Sequence, residues 1–248
     1  MPYSEQTVKS VRPWSDKTFS FTLSRPQNFA FENGEFVTIG LKQEGRLVAR
    51  AYSIVSTADH DYLEFLSIHV PDGPLTSHLA QIRPGDSVWV NSKATGSLTL
   101  DHVLPGRVLY MLATGTGLAP FMSLIRDPET CVRFEHVVLV HSVRTVAELA
   151  YRDEIEAMNN VRLHYVPTVT REPFPTPQRG SDLFRSGVLS QRLGLPVPDP
   201  EHDRVMICGN PEMTRDMTRY LKDANWTLTN HRGVGSFTTE VAFVTHHT

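Results

Sequence analysis

Up to about residue 91, apolar residues recur at every second position: Thr18-Phe19-Ser20-Phe21-Thr22-Leu23, Phe36-Val37-Thr38-Ile39, and the run 63–70. Such runs, separated by clusters of Pro, Gly, Asn and Asp, predict antiparallel strands with one face in a core and the other in water. A short helical segment at 73–80 interrupts them. Arg83-Pro84-Gly85-Asp86 then turns the chain into the strand Ser87-Val88-Trp89-Val90. The expected architecture of this part is an all-β sheet or small barrel.

After Pro105-Gly106 the pattern changes. Short, nearly continuous apolar runs appear at 108–113, 136–140 and 205–208. Helix-period segments alternate with them, including one predicted over 145–158 that opens with a Thr145-x-x-Glu148 capping box. Strands buried on both faces and alternating with helices predict a parallel sheet in an α/β domain. A chain of 248 residues is compatible with two domains or one large barrel, and the change of period selects two, divided at 1–101 and 102–248. Two proline-rich stretches, 167–177 and 196–200, are expected to be ordered loops, and Trp14, Trp89 and Trp226 are expected in the two cores.

Charge narrows the function classes. With 24 Lys+Arg against 27 Asp+Glu, a net charge of −3, the chain shows no basic stripe for a nucleic acid. The two cysteines, Cys131 and Cys208, lie far apart, so neither a disulfide scaffold, a C-x-x-C site nor an iron–sulfur cluster is expected. No H-E-x-x-H occurs, and the eleven histidines are scattered, so no metal is expected. No apolar run of roughly 18 residues and no basic-then-apolar leader is present, which predicts a cytoplasmic protein away from membranes. A G-x-S-x-G hydrolase elbow is also missing. Of the five lysines only Lys222 follows residue 101, whereas arginines dominate the second part. That bias suits a phosphate-rich ligand, and codon usage would produce it equally well.

Three segments carry candidate chemistry. Thr114-Gly115-Thr116-Gly117-Leu118-Ala119-Pro120 follows the first buried strand. Its glycines would let backbone N–H groups approach a pyrophosphate at a helix start, although a plain strand-to-helix turn looks the same. Arg50-Ala51-Tyr52-Ser53 offers a phosphate fork, an aromatic plate and a hydroxyl, and an ordinary strand could carry the same residues. Gly73-Pro74-Leu75-Thr76-Ser77 places two hydroxyls at a short helix start, where an anion or a simple cap would fit.

Taken in order with Cys208-Gly209-Asn210-Pro211, Phe31-Glu32-Asn33-Gly34-Glu35-Phe36, Thr170-Arg171-Glu172-Pro173-Phe174 and Glu240-Val241-Ala242-Phe243, these segments resemble the ferredoxin/flavodoxin–NADP(+) reductase family, bacterial type. The resemblance runs through nearly the whole chain. It implies an antiparallel FAD-binding β-barrel followed by a parallel-sheet NADP-binding α/β domain. It places FAD against Arg50, Ala51, Tyr52, Ser53, Ser67, Ile68, His69, Val70, Thr76, Ser77, Thr116, Ala242 and Phe243. It places NADP(H) against Thr114, Gly115, Thr116, Gly117, Cys208 and Gly209, with Arg144, Arg171 and Arg179 at the 2′-phosphate. Ser53, Cys208 and Glu240 would be the catalytic group. The chain departs from relatives at Val241, His69 and His78, where basic side chains are common.

The activity so implied is hydride exchange between NADP(H) and the flavin N5, coupled to one-electron exchange with ferredoxin or flavodoxin by a monomeric enzyme. Two other functions share the fold: a reductase serving an oxygenase, free flavins or ferric chelates, and a non-catalytic flavin-binding regulatory subunit. The intact Tyr52, Ser53, Cys208 and Glu240 speak against the last.

Overall fold

The structure is a computed structural model and describes residues 2–158 and 160–242. Six strands form the first sheet: β1 (Tyr3–Pro13), β2 (Thr18–Ser24), β3 (Phe36–Gln43), β4 (Arg46–Ser53), β5 (Tyr62–Ile68) and β6 (Ser87–Thr95). Their order is β4-β3-β6-β1-β2-β5 and every pairing is antiparallel. The two ends meet just beyond β4, where Ile54 bridges Phe65 and the Val55 N–H donates to the Glu64 carbonyl at 2.8 Å. The sheet is thereby closed into a barrel. Alternate residues such as Phe21, Leu23, Ile39, Leu63, Phe65 and Val90 fill its core, as period-2 strands require.

The second sheet contains β7 (Val108–Thr114), β8 (His136–Val143), β9 (Leu163–Val169), β10 (Arg204–Gly209) and β11 (Phe237–Val241), in the order β11-β10-β7-β8-β9. All pairings are parallel. Leu109, Met111 and Ala113 of β7 face a layer that includes α2 (Leu118–Arg126), α3 (Pro128–Arg133) and α4 (Arg152–Ala157). Val108, Tyr110 and Leu112 face the opposite layer, with α5 (Gly180–Arg185), α6 (Val188–Leu193) and α7 (Pro211–Asp223). Burial on both faces explains why these strands read as continuous apolar runs. From β7 the chain moves to β8 on one side and later to β10 on the other. Open α/β sheets have their ligand crevice at the carboxyl ends of strands where the order diverges in this way.

Several details depart from the sequence expectation. The helix predicted over 145–158 is split into a 3-10 turn at Val146–Glu148, with its capping box in place, and the short α4. Between them Tyr151 adopts φ +60°, which turns its ring toward the barrel, where it lies 4.6 Å from the ring of Trp14. Tertiary contact overrides helical period there. Pro167, placed in a loop from the sequence, sits inside β9; an edge strand tolerates its missing N–H. β5 ends at Ile68, short of the run read to residue 70, and its last in-register bond to β2 runs from the His69 N–H to the Lys17 carbonyl at 2.6 Å. Trp89 is only half-buried on the outside of the barrel, with the Lys42 ammonium over its ring, while Trp226 is in the core as expected.

Candidate functional site

One cleft of about 1140 Å³ runs between the domains. Its barrel side is formed by Thr18, Leu66, Ile68 and His69, and its α/β side by Thr114, Gly115 and Thr116. At its far end Arg144, Arg171 and Arg179 converge. The Arg171 N–H donates to the Arg144 carbonyl at 2.9 Å, so these two arginines extend from adjoining strand ends. Arg179 is the residue that precedes α5.

The glycine turn at Gly115–Gly117 is shaped by two different constraints. Gly115 has φ +54°, a left-handed conformation that favours glycine, and a Cβ there would meet nothing within 4 Å. Space above the turn is therefore open to a ligand. Gly117 is confined from below, since a Cβ on it would stand 2.2 Å from the Cys208 carbonyl oxygen. The carboxyl ends of β7 and β10 are tied together by the Thr114 hydroxyl, which accepts from the Asn210 N–H at 2.9 Å. Beneath the turn, the imidazole Nε2 of fully buried His141 is 3.1 Å from the Gly115 carbonyl.

On the barrel side, Tyr52 bridges β4 and β5: its hydroxyl is 3.2 Å from the Ser67 hydroxyl and its ring meets Phe65 edge to face. Burial pushes the Tyr52 phenol up, so it stays neutral. Arg50 and Ala51 are exposed on the same strand, and among the described residues the Arg50 guanidinium bonds only the neighbouring Ala49 carbonyl. Thr76 and Ser77 point their hydroxyl donors inward, to the carbonyls of Val70 (3.2 Å) and Gly73 (2.7 Å). Instead of two free hydroxyl donors at a helix start, the α1 (Thr76–Leu79) region thus offers a tightened turn that continues from 67–70.

Cys208 and Glu240 are register partners on β10 and β11. Burial, then the Glu240 carboxylate, pushes the Cys208 thiol well above its ordinary range, so it is a neutral thiol. Glu240 reaches across the domain boundary: one carboxylate oxygen accepts from the Ser97 N–H at 2.5 Å and its hydroxyl at 3.3 Å. Burial pushes this carboxyl up, and the donors at Ser97 and Leu98 pull it back. Ser53 is half-buried opposite Phe36, and Phe36 pairs in turn with Thr95, next to the Gly96-Ser97 corner that Glu240 contacts. The expected catalytic group is gathered within a few pairing steps. Ala242 donates its N–H to the Gly209 carbonyl and packs on the interdomain core. Phe243 lies outside the described residues.

The sequence matches the oxidoreductase FAD-binding domain over residues 7–97 and the oxidoreductase NAD-binding domain over residues 111–219. It is 46% identical over 253 residues to the ferredoxin–NADP reductase of Pseudomonas aeruginosa, covering 98% of both chains. The chain belongs to the ferredoxin–NADP reductase family. A flavodoxin/ferredoxin–NADP reductase of Rhodobacter capsulatus is 44% identical over 250 residues, covering 96% of this chain and 93% of that protein. The crystal structure of a ferredoxin NADP+ reductase from Neisseria gonorrhoeae, with bound FAD and NADP, superposes with a TM-score of 0.92 at 33% identity. The superposition covers 98% of this chain and 100% of that one. This family member is an oxidoreductase with the two-domain fold expected from its pattern.

Arg185 and Arg215, which are not among the residues expected from the sequence, also border the cleft. Arg185 is paired with Asp182 at 2.5 Å, and Arg215 lies on the first turns of α7. No local signal marks them, because the crossovers that bring their helices to the cleft are tertiary. Among the described residues no three His, Cys, Asp or Glu side chains are placed to share a metal ion, and no helix is long and apolar enough to cross a membrane.

Proposed function

We propose that this ferredoxin–NADP reductase family member exchanges electrons between NADP(H) and a ferredoxin or flavodoxin, using FAD. When bound, FAD supplies the redox chemistry: hydride exchange with the nicotinamide and single-electron exchange with the protein carrier. The observation that carries this reading is the continuity of the cleft from Ile68 and His69, past the open glycine turn, to Arg144, Arg171 and Arg179.

In this reading Arg50 holds the flavin pyrophosphate, Tyr52 supplies an aromatic plate, and Ser53 stands at the flavin N5. The backbone of 67–70 with Thr76, Ser77, Thr116 and Ala242 completes the flavin site. The open face above Gly115 fits a pyrophosphate, which the N–H groups of the turn and the start of α2 would bind. The three arginines distinguish a 2′-phosphate from a 2′-hydroxyl by charge-assisted bonds. Neutral Cys208 and partly desolvated Glu240 shield the reacting rings from water and hold the tail against the barrel. The division at 101/102 follows the same logic, since the FAD-binding match ends at 97 and the NAD-binding match starts at 111. In this reading the enzyme works as a cytoplasmic monomer.

The test is a visible spectrum of the purified protein before and after NADPH under anaerobic conditions, followed by ferredoxin, flavodoxin, free FMN and ferric citrate in separate samples. A yellow protein bleached by NADPH and reoxidised fastest by a protein carrier is expected. A colourless protein that takes up no FAD overturns the proposal, and a preference for FMN or ferric citrate transfers the function to those acceptors.

A further inference from the structure

Helix α2 starts at the glycine turn beside the cleft and ends against the barrel. Its last turn is bonded to the barrel at three places. The Ser123 hydroxyl donates to the Ser56 carbonyl at 2.9 Å, and Asn33 Nδ2 donates to the Asp127 carboxylate at 2.8 Å. Between them Arg126 Nη1 donates both to the Val55 carbonyl (3.0 Å) and to Glu64 Oε2 (2.7 Å). The other Glu64 oxygen accepts from the Tyr151 hydroxyl at 2.8 Å, and Glu154 takes the Arg126 Nε at 2.7 Å. No buried polar atom of this knot is left without a partner, which a largely buried ion pair requires if it is to hold one geometry.

Glu64 lies on β5, the strand whose other end, at Ile68, borders the cleft. From Glu64 to Ile68 is about 13 Å of strand, and the nine residues of α2 span about 13 Å of helix. The two rods meet at both ends: Arg126 at the end of α2 bonds Glu64, and the Gly115–Gly117 turn that leads into α2 packs on β5. They are clamped at one end and carry the flavin-side and nucleotide-side walls of the cleft at the other. On such a lever a tilt of about 5° at the clamp moves the far end by about 1 Å, and misplacement of that order costs up to 100-fold in rate.

We infer that Glu64, Arg126 and Tyr151 are positioning residues: the clamp they form sets the spacing between the flavin and nicotinamide halves of the cleft, and so the hydride-transfer rate, without touching either ligand. The inference rests on the proposed function. The glycine turn, Arg144, Arg171, Arg179 and Tyr52 are all outside the clamp, so binding of each cofactor is preserved when it loosens.

Tyr151→Phe removes one hydroxyl and keeps the ring on Trp14, and Glu64→Gln removes the charge at nearly constant shape. For both variants the FAD content, the Kd for NADP+ and the anaerobic stopped-flow rate of flavin reduction by NADPH are measured, with amide hydrogen exchange of the 55–58 segment in the FAD-free protein. A five- to hundredfold slower reduction in each, with Kd and FAD content within twofold of wild type and faster exchange at 55–58, is expected. Reduction within twofold of wild type in both variants, unchanged exchange, or a Kd that rises in step with the lost rate overturns the clamp. If wild-type protein is itself not reduced by NADPH, it is the functional reading that fails.

Discussion

The imidazole of His141 stands with Nε2 3.1 Å from the carbonyl oxygen of Gly115, and its Nδ1 is buried without a partner. A carbonyl only accepts, so Nε2 carries the proton and the ring is neutral. Burial pulls its pKa down from 6.5 to about 4. Above pH 6.5 neither the folded nor the unfolded state binds this proton; below it the unfolded chain takes one up first. The contribution of His141 is therefore complete above pH 6.5 and is lost as pH falls toward 4, by about 2 kcal/mol between pH 7 and pH 5. Urea unfolding of wild type and His141→Gln at both pH values measures this directly. The variant is expected to lose less stability on acidification, and equal losses would assign the acid sensitivity to other groups.

The two glycines of the turn are expected to respond differently to alanine. Gly115→Ala meets no atom and bears only the left-handed strain, about 1–2 kcal/mol. Gly117→Ala drives a methyl group into the Cys208 carbonyl, where both partners are backbone, and should cost more than about 2 kcal/mol. Thermal or urea unfolding of the pair checks the order, and NADP+ titration should show a larger loss for Gly115→Ala, whose methyl group enters the face proposed for the pyrophosphate.

Arg144→Ala and Arg171→Ala are expected to weaken NADPH binding by about 1.5–3 kcal/mol each, roughly 10- to 100-fold, and to leave NADH nearly unchanged. Separate titrations of the two nucleotides make the comparison. Equal losses for both would remove these arginines from the 2′-phosphate.

Cys131 is 7% exposed and Cys208 1%, and burial raises both thiols above their ordinary range. The native protein should react with a thiol reagent over hours at pH 8, whereas guanidinium should release both thiols within minutes. Fast native labelling of Cys208 would contradict the closed geometry at β10.

The sequence by itself determined the two strand grammars, because burial on one face imposes period 2 and burial on both faces erases it. It also made the glycine turn and the arginines after β8 and β9 legible, since these features depend on a few neighbouring residues. Tertiary structure alone decided the rest. Tyr151 abandons its helix because Glu64 of β5 and Trp14 of the bend between β1 and β2, both distant in sequence, hold its hydroxyl and ring. Glu240 reaches Ser97 and Arg126 reaches Glu64 over sequence separations that no local pattern encodes. Those contacts exist only where the closed barrel and the parallel sheet meet, because burial there makes each unpaired polar group costly and one arrangement satisfies them together.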